Sequence, residues 1–79
     1  MSPKGILQAL RKRPFKPFRI QVSDGTTYDV RHPELVMVGK GEVMIGIPES
    51  GDADPVFDRV ETVSLGHVVK LLPAPAGAK

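Results

Sequence analysis

No cysteine occurs among the 79 residues, so neither a disulfide nor a thiolate metal site can staple a chain this short. Tryptophan is absent as well, and Tyr28, Phe15, Phe18 and Phe57 are the whole aromatic complement. Aromatics so few, and at strand spacing, are expected to fill the core rather than to stand exposed for base stacking. No apolar run approaches the roughly 20 residues needed to span a bilayer, and the N-terminus lacks the apolar stretch of a secretory leader. A cytoplasmic protein with no membrane partner is expected. Finally, the first 19 residues contain no acid.

The absence of acid at one end makes the chain electrically two-ended. Lys4, Arg11, Lys12, Arg13, Lys16 and Arg19 give residues 1–19 a charge of +6, whereas residues 20–61 hold all nine acids against Arg31, Lys40 and Arg59, which makes −6. The net charge of +2 conceals this. A basic end attracts phosphate backbones, and an acidic stretch attracts the basic end of a neighbouring subunit equally well. Seventy-nine residues make one small domain. With no disulfide available, oligomerisation is the natural way for it to gain buried area.

Ser2-Pro3 reads as a helix start, with a hydroxyl at the N-cap and a proline whose missing N–H costs nothing there. Ile6, Leu7 and Leu10 follow at helical spacing, and Pro14 ends the helix at or before Arg13. From Phe18 the period becomes two: Phe18, Ile20 and Val22 alternate with Arg19, Gln21 and Ser23, and Asp24-Gly25 supplies a turn. Tyr28 and Val30 continue the alternation until Pro33 interrupts it. Leu35–Val38 and Glu42–Ile47 form a further pair around Gly39-Lys40-Gly41, and Gly46 marks a bend. Residues 48–55 read as an acidic loop, Val56–Leu65 as a long β run, Gly66-His67 as a turn, and Val68–Leu72 as a last strand. The pattern predicts a mainly β domain over residues 1–72: an N-terminal α-helix followed by about five short antiparallel strands forming an Sm/SH3-like small barrel. Residues 73–79 are expected to be a disordered tail.

Arg13-Pro14-Phe15-Lys16-Pro17-Phe18-Arg19-Ile20, Asp24-Gly25 with Tyr28, Val30-Arg31-His32-Pro33-Glu34, and Asp54-Pro55-Val56-Phe57-Asp58-Arg59 with His67 resemble the shared pattern of a family of short bacterial proteins. The resemblance covers roughly residues 12–72 and implies no activity and no catalytic residue. A second, fold-level resemblance is to the Sm-like RNA-binding proteins of the Hfq type. It rests on the helix-then-strands order, on Asp24-Gly25 after the first strand and on His67 before the last. That resemblance implies a small barrel and RNA as a partner. It departs at Gly66, where the Hfq type has a lysine, and in having no aromatic between Tyr28 and Phe57.

Arg11 to Pro17 also fits the Arg-x-x-Pro-x-x-Pro pattern read by SH3 domains, although a rigid helix-to-strand connector explains its prolines equally. Arg11, Lys12, Arg13, Lys16 and Arg19 are the candidate contacts to RNA, DNA or an acidic partner. His32 and His67 are the only imidazoles, and ordinary hydrogen bonding to backbone or to a neighbouring strand is expected of them. Glu49, Asp52, Asp54 and Asp58 lack the glycine and the distal glutamate of a calcium loop, and Asp58-Arg59 could form an ion pair. The sequence therefore points to a non-enzymatic, self-associating interaction module: a homo-oligomer, with no cofactor and no metal. RNA- or DNA-binding through the basic segment is the alternative, and another protein is a further possible partner.

Overall fold

The computed structural model describes residues 1–48 and 56–74. Its elements are helix α1 (Pro3–Arg11) and strands β1 (Phe18–Val22), β2 (Thr27–Val30), β3 (Val36–Val38), β4 (Glu42–Pro48), β5 (Phe57–Ser64) and β6 (Val68–Pro73). Short 3-10 turns at Pro33–Leu35 and Leu65–His67 precede β3 and β6. Pro3 stands in the first turn of α1 as expected, but the Ser2 side chain makes no capping hydrogen bond. Ile6 and Leu10 are the buried residues of the helix, with Ala9 packed against the core beside them. Lys12 is already extended, so the helix stops two residues before Pro14.

β1 is the centre of the first sheet, whose order is β2-β1-β6. The β1–β2 hairpin turns at Asp24-Gly25, where Gly25 takes φ +92°, a conformation that a Cβ would strain. The Thr26 N–H donates to Asp24 Oδ1 at 2.9 Å and closes the turn. The second sheet has the order β3-β4-β5. Alternation puts Phe18, Ile20, Val22, Val30 and Val68 of the first sheet inside, together with Val36, Val43, Ile45 and Val63 of the second. With Ile6, Leu10 and Leu65 they make one core cluster. Phe15 meets Phe18 edge-on, with ring centroids 6.1 Å apart, so the two phenylalanines pack on each other.

The expected Sm/SH3-like small barrel is not closed. Six strands, rather than about five, form two separate three-stranded antiparallel sheets. Two features of the sequence keep them apart. Pro33 offers no N–H to a ladder, and the chain from His32 to Leu35 tightens into a 3-10 turn, so β2 cannot run on into β3. On β5, Val63 is buried but the next residues of the same parity are Glu61 and Arg59. They lie opposite Ile45 and Ile47 on β4 and bond each other, Arg59 Nε to Glu61 Oε2 at 3.0 Å. Inward-pointing charge of this kind guards a strand edge against pairing. A cleft of about 640 Å³ opens there, bordered by Tyr28 and Asp29 on one side and by Ile47, Arg59 and Glu61 on the other.

The last strand reaches Pro73, opposite Phe18, and the Ala74 N–H donates to the Pro17 carbonyl at 3.2 Å. Proline is tolerated because β6 is an edge strand. The rest of the expected tail, residues 75–79, lies outside the described residues, as do Glu49, Asp52 and Asp54 of the acidic loop. Among the described residues no helix is long and apolar enough to cross a membrane.

Ile20 is fully buried and Val69 is 52% exposed, so truncating each separates core from surface. Ile20→Ala is expected to lose about 2–4 kcal/mol, and Val69→Ala no more than about 0.5 kcal/mol, in urea titrations followed by circular dichroism.

Candidate interaction site

The five candidate cations do not form one patch. Arg11 ends α1 and is exposed, as are Lys12 and Lys16 on the connector to β1. Arg13 turns back over the helix end, where its Nη1 donates to the carbonyls of Leu10 at 3.1 Å and Lys12 at 2.9 Å. Its charge thereby serves the carbonyl end of the helix. Arg19 lies on β1 opposite Asp29 of β2. Its Nε and Nη2 reach the two carboxylate oxygens at 2.7 and 3.3 Å, a bidentate grip. Arg31 adds a longer contact to the same carboxylate, 3.6 Å from Nη2 to Oδ2. The hydrogen bond to Asp29 raises the Arg19 pKa, and that from Arg19 lowers the Asp29 carboxyl below its ordinary value. Three of the five, Arg11, Lys12 and Lys16, therefore stand at the helix end with no ion pair among the described residues.

Lys12 and Lys16 border a groove of about 410 Å³ between α1, the start of β1 and the end of β6. Its walls are apolar: Ala9, Leu71 and Leu72 are half-buried, and Pro17 and Pro73 are exposed. No acid lines it. The groove exists because α1 breaks off at Arg11 and the extended connector must swing back to bring Phe18 opposite Pro73.

A second surface lies on the outer face of β3, β4 and β5. Met37 stands opposite Met44, and Gly46 opposite Val60, all facing away from the core side chains Val36, Val43 and Ile45. A register shift between Ile47 and Pro48 brings Phe57 to this face as well. Met37, Phe57 and Val60 are 63%, 55% and 45% exposed, and Val56 beside them 57%. Met37, Met44, Phe57 and Val60 surround a hollow of about 200 Å³ over Gly46. The hollow needs glycine: a Cβ there would lie 3.1 Å from the Leu35 carbonyl oxygen and 3.2 Å from Phe57 Cβ. Glu34 lines the hollow and Asp58 is exposed next to Phe57, whereas no basic residue lines it. Within the chain Asp58 and Arg59 do not pair: Arg59 points to the other face and bonds Glu61.

His67 does bond a neighbouring segment, but its partner, Ser23, carries no signal in the residue pattern. The Ser23 N–H donates to the His67 carbonyl at 2.8 Å, and Ser23 Oγ lies 3.3 Å from His67 Nδ1. Ser23 and His67 are far apart in the chain and meet because the β1–β2 turn lies against the turn before β6. Asp24 is next to Ser23, but its carboxylate accepts from the Thr26 amide and hydroxyl, which hold its pKa below the ordinary value. In a full triad a third group orients the imidazole from its second nitrogen. Among the described residues His67 has no such hydrogen bond.

No family model, curated protein or solved structure matches this chain. Its own surfaces therefore carry the functional reading: a lysine-bordered groove and an acid-bordered apolar face.

The Arg19–Asp29 bridge makes stability depend on pH in a definite direction. A carboxyl whose pKa is lower in the folded than in the unfolded chain adds stability above its unfolded value, near about 4. That increment is lost as pH falls through the folded value. Asp29→Asn is therefore expected to have a slightly lower urea midpoint than the wild type at neutral pH. The difference should vanish once the pH lies below the folded pKa of Asp29; a difference that persists there would assign the loss to packing instead.

Proposed function

We propose that this protein is a non-enzymatic interaction module that assembles with further copies of itself through the outer face of β3, β4 and β5. One observation carries the reading: Met37, Phe57 and Val60, all strongly exposed, gather with Met44 around the hollow over Gly46. Single exposed apolar residues are ordinary, but a contiguous set rimmed by polar groups marks an interaction surface. Methionine suits such a face because its thioether chain adapts to the shape of a partner.

The size of the core supports the same reading. The buried residues are mostly valine and isoleucine, and the largest fully buried ones are Ile6, Ile20, Ile45 and Val43. A core this small, without disulfides, gains from any surface that a second copy covers. A stable contact needs about 800 Å² from each partner, and the described residues expose 5221 Å² in all.

Sedimentation velocity on the full chain tests this. The wild type is expected to form oligomers at tens of micromolar, while Met37→Glu and Val60→Glu sediment as folded monomers. A wild type that stays monomeric, yet binds a random oligonucleotide with an affinity that falls steeply with salt, would overturn self-assembly in favour of nucleic-acid binding through Arg11, Lys12 and Lys16.

A further inference from the structure

We infer that the assembly is head-to-tail: the acid-bordered face of one copy seats against the lysine-bordered groove of the next. This rests on the self-assembly reading and specifies its partner surface. The two surfaces are built from different elements and share no residue. The groove belongs to α1, β1 and β6, and the face to β3, β4, β5 and the turn before β3.

Their chemistry is complementary in kind. Both present apolar side chains at the centre: Leu71, Leu72 and Pro73 in the groove, Met37, Val60 and Phe57 on the face. Both carry charge at the border, and of opposite sign. Lys12 and Lys16 flank the groove with no acid among its lining residues. Glu34 lines the hollow, and Asp58 adjoins Phe57, with no base among its lining residues.

A like-on-like pairing of two faces would bring Glu34 and Asp58 of both copies into one contact, with no base among the lining residues of either hollow. Pairing groove to groove would do the same with the lysines. Juxtaposed like charges disfavour a contact, whereas apolar centres with opposed rims select one register and speed encounter. Three arginines are already engaged within the fold. Arg13 is engaged by helix carbonyls, Arg19 by Asp29 and Arg59 by Glu61. A contact between two different surfaces is heterologous, so it closes into a ring if the rotation between copies permits and otherwise extends as a filament.

Two charge-reversed proteins test the pairing: Lys12→Glu with Lys16→Glu, and Glu34→Lys with Asp58→Lys. All four residues are exposed or line surface hollows, and circular dichroism melts check that each protein is folded. Sedimentation velocity at low salt and at 150 mM salt is then run on each protein alone and on their equimolar mixture. Each alone should associate at least about tenfold more weakly than the wild type, and the mixture should recover association because the reversed rims again oppose each other. Wild-type association should also weaken at the higher salt.

If both reversed proteins assemble like the wild type while Met37→Glu does not, self-assembly stands and the head-to-tail pairing is overturned. A mixture that stays dissociated, although both components are folded, overturns the pairing as well. A wild type monomeric at every concentration removes both. If a charge-reversed protein proves unstable, Lys12→Gln with Lys16→Gln weakens the same rim more gently and is expected to lower association in the same direction.

Discussion

β1 holds the structure together because it alone bonds on both sides within its sheet. Its pairing with β2 is local and needs only the Asp24-Gly25 turn. Its pairing with β6 joins Phe18 to Pro73 and so ties the first strand to the last. Ile20 sits where the two ladders meet, opposite Tyr28 on one side and Leu71 on the other. The helix, the groove beside it and the Phe15–Phe18 contact all depend on this long-range closure. Such closure costs chain entropy before any contact rewards it. The apolar alternation of β1 has to compensate for that loss.

What the second sheet lacks follows from the same physics. β4 is as well buried on its inner side as β1, but its outer neighbour β5 is apolar on the inside only as far as Val63. Arg59 and Glu61 then occupy the positions where a closed barrel would need valine or isoleucine. Two charged side chains taken from water without a matching environment cost more than the strand pairing would return. The cleft beside Tyr28 is the consequence, and the two sheets share a core without sharing a ladder.

Much of this was legible in the residues themselves. The helix stop, the turn at Asp24-Gly25, the alternation of β1 and the break at Pro33 are local events, and each has a local cause in residue chemistry. The separation of the sheets was also written in the chain. In Phe57–Ser64 the apolar residues change parity, with Val60 on one side and Val63 on the other, and a β-rich composition conceals that change. Pairing was not legible. Arg19 reads as one more cation of a basic run until the hairpin register sets Asp29 across from it. Ser23 and His67 meet only because two turns, made by distant parts of the chain, come to rest against each other. Charge counts along a chain take no account of such neutralisation, which is why five candidate cations shrink to three.

That reduction changes what the two-ended charge pattern means. A run of six cations suggests a diffuse attraction for any polyanion, and diffuse attraction needs no particular shape. Once Arg13 and Arg19 are engaged within the fold, what remains near the helix end is a short set whose two lysines border apolar walls. A phosphate backbone gains little from Leu71, Leu72 and Pro73, whereas a protein surface with an apolar centre and a carboxylate rim is served by both features at once. The acids show the same division. Asp29 and Glu61 are bonded to arginines, and Asp24 to its own turn. Glu34 and Asp58 remain beside the exposed methionine, valine and phenylalanine side chains. In both halves of the chain, some of the charges that the fold does not use for itself are set beside apolar surface. That combination favours a shaped contact between proteins over a general field for polyanions.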